Sequence, residues 1–197
     1  MALLEARCPA PDRRGRRLDR DHRLDVLHAN AGTARAGGSL DQTEEDWDFI
    51  FDLNVKSVWL CSKHAVPHLI AAGGGAIVIT GSTSGMVGFP GVIAYTASKG
   101  AVINLTRSLA LEYAEHGIRV NCVSPGHIDT PLSRGHFTDP DDPSALEAGF
   151  SMLAQQLAVK RMGTPEEVAA FCVFLASDDA AFCTGGIHVC DGGLTAQ

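Results

Sequence analysis

The sequence has 197 residues, of which 45% are hydrophobic and 20% are charged, and this length and composition fit one globular domain. No apolar run approaches the roughly 18 residues of a membrane span, which excludes a transmembrane protein, and the first residues lack the apolar core of a secretory signal, so we do not expect a secreted protein. The net charge of −7 is uneven: residues 1–25 carry seven Arg and five acidic residues, and the rest carries 9 basic and 18 acidic residues. Because nucleic-acid surfaces need clustered Lys and Arg, this acidic body argues against a nucleic-acid partner. With neither a membrane span nor a secretory signal expected, we predict a cytoplasmic protein.

The first 23 residues are rich in Arg, Asp and Pro and show no strand periodicity. A basic arm or an organellar presequence would also be rich in Arg, but the interleaved acidic residues weaken both interpretations. We predict that residues 1–23 form a disordered leader and that the domain begins near Leu24.

The six cysteines form no C-x-x-C pair, which indicates buried thiols in a reducing compartment. Two sets come closest to a metal-binding pattern, the helical pair His64 and His68 and the trio Cys183, His188 and Cys190. Neither set completes a ligand count, so no metal site is predicted.

Short apolar runs alternate with segments of helical period, which is the pattern of a parallel α/β sheet. The runs predicted as strands are residues 24–27, 76–80, 118–123 and 187–190. The predicted helices are residues 44–72, as one helix or two, residues 95–115 and residues 165–175.

Capping residues mark the ends of these helices. Thr43 is placed to cap the first, and Gly73 and Gly117 are expected to end the first and second. Thr164 and Glu167 form a capping box that opens the third.

Residues 131–160 interrupt the alternation with three Pro and only a weak helical pattern from Ala145 onward. An insertion of this kind beyond a strand end is usually a lid or a substrate loop. Its aromatic and apolar side chains suit a hydrophobic substrate, and the ones expected to shape the pocket are His136, Phe137, Phe150 and Met152.

Tyr95 and Lys99 lie four residues apart at the start of a predicted helix, so they share one helix face. A free phenol has a pKa near 10, and a neighbouring cation lowers that pKa by favouring the phenolate. Taken alone, the same spacing is also compatible with an ordinary surface pair.

Ser82 stands thirteen residues before Tyr95, directly after the predicted strand 76–80, where parallel α/β folds place ligand contacts. The segment from Ile79 to Lys99 reads Ile-Thr-Gly-Ser-Thr-Ser-Gly-x-x-Gly-x-Pro-Gly-x-x-Ala-Tyr-x-x-Ser-Lys. It resembles the active-site signature of the short-chain dehydrogenases/reductases.

Other blocks resemble the same family in the same order, from about residue 24 to the C-terminus. They are Asn30-Ala31-Gly32, with Ala29 in place of the first Asn of an N-N-A-G turn, Asp52-Leu53-Asn54-Val55, Ser124-Pro125-Gly126-x-Ile128-x-Thr130, Gly163-x-Pro165-Glu166-Glu167 and Thr184-Gly-Gly-x-x-x-x-Asp191-Gly-Gly. The resemblance implies a Rossmann-like, doubly wound parallel sheet.

The resemblance also implies a role for each matching residue. Tyr95 would exchange a proton with the substrate oxygen, and Ser82 would orient that oxygen. Lys99 would lower the pKa of Tyr95 and bind the nicotinamide ribose, while Asn54 would hold a water that links Lys99 to solvent. The residues expected to contact NAD or NADP are Asn30, Gly32, Tyr95, Lys99, Pro125, Gly126, Ile128 and Thr130.

Three of these assignments have simpler alternatives in the sequence. Ser84 is a second candidate for the active hydroxyl, although the spacing favours Ser82. Asn54 is also interpretable as a helix-kink residue, and Thr130 as a turn residue before Pro131.

The family's opening strand, glycine-rich turn and helix, which hold the pyrophosphate, have no counterpart before Leu24, where Gly15 is the only glycine. That first half needs roughly 60 residues. We therefore expect an N-terminally truncated sheet that lacks its first three strands. Because Tyr95 and Lys99 reach only the nicotinamide end, we expect this chain to bind NADH or NADPH weakly or not at all.

Three alternative functions are compatible with these patterns. The first is an NAD(P)-dependent oxidoreductase that interconverts an alcohol and a ketone, and the second is an inert dehydrogenase-like fragment that acts as an oligomerisation or interaction partner. A small-molecule binder without hydride transfer is a third, disfavoured because a binder does not need a phenol beside an ammonium. The resemblance implies a homo-oligomer, a dimer or tetramer paired through the Tyr-containing helices and the last strand, with no membrane partner.

Overall fold

The computed structural model describes residues 24–137, 139 and 141–196. The predicted disordered leader, residues 1–23, and the strands expected to be missing before Leu24 lie outside the described residues. Within them, one parallel sheet has the strand order β1-β2-β3-β4, with β1 Val26–Ala29, β2 Gly75–Thr80, β3 Ile118–Pro125 and β4 Ile187–Cys190.

Helices connect consecutive strands of this sheet. They are α1 Glu44–Phe51, a π-helical turn Asp52–Lys56, α2 Ser57–Ala72, α3 Ile93–Tyr113, α4 Pro131–Gly135, α5 Ala145–Gln156 and α6 Pro165–Ala176. The predicted Rossmann-like α/β class is confirmed. No helix in the described part of the chain combines the length and apolar character that a bilayer crossing requires.

Successive strand residues point to opposite faces of the sheet, and helices cover both faces. Ile77 and Ile79 of β2 pack on one side with Val102 of α3, in a core that α2 completes. Val78 packs on the other side with Leu175 of α6. Burial of each such side chain contributes about 1.5–3 kcal/mol to folding.

The predicted helix boundaries follow local chemistry. The Thr43 hydroxyl accepts a hydrogen bond from the third amide of α1 at 3.1 Å. Gly73 and Gly117 adopt left-handed φ angles of 88° and 72° at the ends of their helices. Thr164 and Glu167 complete the reciprocal capping box, with hydrogen bonds of 3.4 and 2.9 Å. These four predictions are confirmed.

The first strand begins two residues later than predicted. Pairing with β2 starts at Val26, opposite Ala76, and the Asp25 carbonyl accepts the Ala76 N–H at 3.0 Å. The strand then extends to Ala29, immediately before Asn30. Pairing with β2 therefore determines where β1 begins.

The interrupting segment 131–160 contains two helices. α5 starts at Ala145, as the weak pattern predicts. α4 was not predicted. Pro131 occupies its first position, where a proline is tolerated because the backbone N–H at that position forms no hydrogen bond within the helix.

Candidate active site

The predicted site residues converge at the carboxyl edge of the sheet, where parallel α/β folds bind ligands. Asn30 follows β1, Ser82 follows β2 at a distance of two residues, and Gly126 follows β3. Tyr95 and Lys99 reach this edge from the first turns of α3, which packs against the turn after β2.

Ser82 is buried and caps a short 3₁₀ turn, Thr83–Gly85. Its Oγ accepts the Ser84 N–H at 3.1 Å, so its own proton is available for another acceptor. The Ser82 hydroxyl interacts with the Tyr95 phenol and thereby opposes the effect of burial on the pKa of Tyr95. The structure therefore brings Ser82 to Tyr95, and Ser84 takes part through its backbone.

Gly85 determines how closely α3 approaches this turn. A Cβ at position 85 would lie 2.6 Å from the backbone carbon and oxygen of Lys99. Only a glycine permits that contact, so the turn after Ser82 and the helix that carries Tyr95 and Lys99 are packed backbone against backbone.

Lys99 is 4% exposed, and its Nζ donates to the Thr80 carbonyl at 2.9 Å. The same Nζ lies 5.7 Å from the centroid of the Tyr95 ring. Burial lowers the pKa of Lys99 from its ordinary value to about 8, so the side chain is mostly a cation at neutral pH.

The expected downward shift of the Tyr95 pKa is not found. Burial raises the pKa of Tyr95 above its ordinary value, and the Ser82 hydroxyl opposes this only in part. The physical reason is that the phenol is largely desolvated, while the Lys99 ammonium is directed at the Thr80 carbonyl. In this structure Tyr95 is therefore a protonated phenol at neutral pH.

Asn54 lies in the π-helical turn between α1 and α2 and is 1% exposed. Its Oδ1 accepts the Thr33 N–H at 2.8 Å, and its Nδ2 donates to the Thr33 carbonyl at 2.9 Å and to Ser98 Oγ at 3.0 Å. The Ser98 hydroxyl donates in turn to the Tyr95 carbonyl at 2.7 Å. Asn54 thus occupies an irregular helical turn and also links the segment after β1 to α3.

Gly32 lies beside this centre with no side chain of its own. A Cβ there would lie 3.3 Å from Asn54 Oδ1 and 3.4 Å from Lys99 Nζ, so a side chain would fill the space in front of both groups. An amide oxygen and an ammonium facing one open space fit the hydroxyls of a ribose. The residues present therefore fit the nicotinamide end of a dinucleotide.

The predicted cofactor loop after β3 is held by its own local bonds. The Gly126 N–H donates to the Cys190 carbonyl at 3.1 Å, and Ile128 forms a parallel bridge with Gly163. Thr130 caps α4 by accepting the Ser133 N–H at 3.2 Å, which matches its alternative interpretation as a local turn residue. Contacts of Pro125, Gly126, Ile128 and Thr130 with a cofactor stay predictions.

The interrupting segment and Met162 line an open pocket of about 470 Å³ beside α4 and α5. Phe150 lines it, and Phe137 packs edge-on against Phe150 with ring centroids 6.2 Å apart. Met152, by contrast, is 54% exposed. Within the described residues, no group of three or more His, Cys, Asp or Glu side chains is arranged to hold a metal ion.

Two polar residues at this edge were not among the predicted site residues. The Thr80 hydroxyl donates to Asn30 Oδ1 at 2.8 Å and contacts His28 Nε2 at 3.0 Å. A histidine inside an otherwise apolar strand is the sequence signal that points to this cluster.

Comparisons with known proteins identify the family of this chain. A family model described as Enoyl-(Acyl carrier protein) reductase matches residues 16–195. Dehydrogenase/reductase SDR family member 6 of Aquarana catesbeiana is 43% identical over 172 residues, which cover 87% of this chain and 69% of that protein. The chain belongs to the short-chain dehydrogenase/reductase family.

Further members of this family show similar agreement. Cis-4-hydroxycyclohexanecarboxylate dehydrogenase of Sinomonas cyclohexanicum is 46% identical over 174 residues, or 88% of this chain and 66% of that protein. The ligand-free structure of Thermoplasma acidophilum aldohexose dehydrogenase superposes with a TM-score of 0.85 at 36% identity, covering 89% of this chain and 69% of that one. This short-chain dehydrogenase/reductase chain thus spans about two thirds of the length of these relatives.

Proposed function

We propose that this short-chain dehydrogenase/reductase interconverts an alcohol and a ketone with NAD or NADP. The observation that carries the proposal is the half-buried Tyr95 phenol at the carboxyl edge of the sheet, which interacts with the Ser82 hydroxyl and has the Lys99 ammonium 5.7 Å from its ring centroid. One relative is named as a dehydrogenase of cis-4-hydroxycyclohexanecarboxylate, which supports a hydroxyl group as the reacting function.

In this proposal Ser82 donates a hydrogen bond to the reacting oxygen of the substrate, since its Oγ already accepts from the Ser84 backbone. Tyr95 supplies a proton to that oxygen when a ketone is reduced and removes one when an alcohol is oxidised. A bound nicotinamide supplies or accepts the hydride. Lys99 stabilises the phenolate, which proton donation leaves on Tyr95 during reduction and from which oxidation starts.

The protonation states favour reduction at neutral pH. Burial keeps Tyr95 protonated, which is the form that donates a proton to a ketone oxygen. Oxidation needs the phenolate, which becomes more populated as the pH rises toward the raised pKa of Tyr95. We therefore expect the rate of oxidation to increase with pH across the neutral and mildly alkaline range.

The cofactor would be held by residues on three segments of the sheet edge. Lys99, Asn30 and the open space at Gly32 would receive the nicotinamide ribose. The loop of Pro125, Gly126, Ile128 and Thr130 would lie along the nicotinamide. The segment that carries Phe150 and borders the open pocket would contact the part of the substrate that is distant from the reacting carbon.

The test is Tyr95→Phe, with cis-4-hydroxycyclohexanecarboxylate and aldohexoses as probes and either nicotinamide cofactor over a wide range of concentrations. We expect a loss of about 10²- to 10⁴-fold in kcat, because a phenylalanine cannot transfer the proton. Tyr113→Phe is the matched control, since these are the two tyrosines of the chain and Tyr113 lies at the far end of α3.

The same control variant gives a second measurement. With Tyr113 removed, ultraviolet titration reports the ionisation of Tyr95 alone, and we expect its pKa to lie above the ordinary value because the phenol is buried. Equal turnover by Tyr95→Phe and wild type would refute the proposal. A folded wild-type chain without turnover on these probes would instead support an inert interaction partner or a binding protein.

A further inference from the structure

A chain of hydrogen bonds at the carboxyl edge of the sheet connects a histidine to the catalytic lysine. His28 Nε2 lies 3.0 Å from Thr80 Oγ1, and the Thr80 hydroxyl donates to Asn30 Oδ1 at 2.8 Å. The carbonyl of the same Thr80 accepts the Lys99 ammonium at 2.9 Å. Thr80 therefore contacts Lys99 with its backbone carbonyl, and with its side chain it contacts His28 of β1 and Asn30, the residue directly after β1.

The geometry of the two strands explains this convergence. Ala29 pairs with Ile79, so Asn30 continues the register opposite Thr80. His28 and Asn30 are two residues apart and share one face, whereas Ala29 points to the opposite face and is 9% exposed. The Ala29 side chain has no polar group, so His28 and Asn30 form the side-chain hydrogen bonds at the end of β1.

The direction of each bond follows from the available protons. The Asn30 oxygen can only accept, so the single Thr80 proton is directed to it. The contact with His28 then requires a proton on His28 Nε2. The hydrogen bond to the Asn30 oxygen therefore requires the Nε2–H tautomer of His28. If the Asn30 amide presented its nitrogen instead, Thr80 would donate to His28, and the Nδ1–H tautomer would be required.

We propose that His28 and Thr80 are positioning residues for cofactor binding, in which the His28 imidazole directs the Thr80 hydroxyl to Asn30 and so fixes both Asn30 and the carbonyl that holds Lys99. This proposal rests on the proposed function, because Asn30 and Lys99 are the expected contacts of the nicotinamide ribose. Neither residue touches the reacting atoms, so the expected effect is on the affinity for the cofactor rather than on kcat.

Thr80→Val is the principal variant, since it removes the hydroxyl and keeps the carbonyl and a branched side chain. We expect about tenfold weaker binding of NADH or NADPH, measured by fluorescence titration, with little change in kcat at saturation. Thr80→Ser should recover most of the lost affinity, and His28→Leu should lose a similar amount to Thr80→Val. Thr106→Val is the matched control, because its buried hydroxyl donates to the Val102 carbonyl within α3, at 2.9 Å, and forms no hydrogen bond with His28, Asn30 or Lys99 in the described structure.

A second measurement needs neither cofactor nor activity. In wild-type protein labelled with [15N]histidine, the imidazole resonances of His28, assigned by their loss in His28→Leu, should show the Nε2–H tautomer. The Asn30 side-chain amide signals should move in Thr80→Val and stay in place in Thr106→Val.

The results separate this proposal from the proposed function. An Nδ1–H tautomer of His28, or equal effects of Thr80→Val and Thr106→Val on cofactor affinity, would overturn the positioning role. If wild type binds no cofactor, the proposed function fails, and the tautomer and the Asn30 signals still decide whether His28 and Thr80 hold this edge of the sheet.

Discussion

Substitution of Gly85 by alanine tests the contact on which the active-site geometry depends. The added Cβ would lie 2.6 Å from the carbonyl carbon and oxygen of Lys99 and 2.8 Å from Ile103 Cδ1. Carbon atoms in contact are normally about 3.5–4.0 Å apart, so the helix backbone must withdraw by roughly 1 Å. The Ile103 side chain can rotate away, but the Lys99 backbone can move only together with α3.

The expected loss is about 1–3 kcal/mol in the free energy of unfolding, which is typical of an overpacked core. With a urea dependence of roughly 2 kcal/mol per molar, the midpoint should fall by about 0.5–1.5 M. Because a displacement near 1 Å at a reacting centre costs about 10²-fold in rate, turnover should fall far more than the population of folded protein does.

Gly88→Ala is the control from the same loop, because a Cβ at position 88 meets nothing within 4 Å. Gly88 is also not among the glycines with positive φ. We expect its urea midpoint to equal that of wild type. If Gly85→Ala also keeps the wild-type midpoint and turnover, the backbone contact between the turn and α3 does not determine the position of Lys99, and the reasoning is wrong.

Two further predictions concern Lys99 and Asn54. Burial lowers the pKa of Lys99 from 10.5 to about 8, so between these values the unfolded chain keeps a proton that the folded protein has released. The free energy of unfolding should therefore rise with pH across this window by about 3 kcal/mol relative to Lys99→Met, and parallel pH profiles of the two proteins in urea titrations would contradict the shift. Asn54→Ala removes the acceptor of the Thr33 N–H and should lower stability by about 1–3 kcal/mol. The Thr33 amide should then exchange its hydrogen at least about tenfold faster, and unchanged exchange would show that another group holds this segment.

The sequence alone determined the features that depend on neighbouring residues. Helix ends at Thr43, Gly73 and Thr164 were predictable because a capping hydroxyl or a left-handed glycine acts within one turn of its own helix. The family was also recognisable from Ser82 and the Tyr95 motif, since their spacing along the chain is a local property that folding preserves.

The tertiary structure decided what depends on contacts between distant segments. The start of β1 depends on its pairing with β2, and the π-helical turn places Asn54 against Thr33 and Ser98. The pKa of Tyr95 was predicted in the wrong direction, because the sequence shows a nearby lysine but does not show how deeply the phenol is buried or that Lys99 bonds to a carbonyl. Burial and hydrogen-bond partners arise only when segments far apart in the chain come together, so the chemical state of the site was beyond sequence reasoning even where its residues were identified.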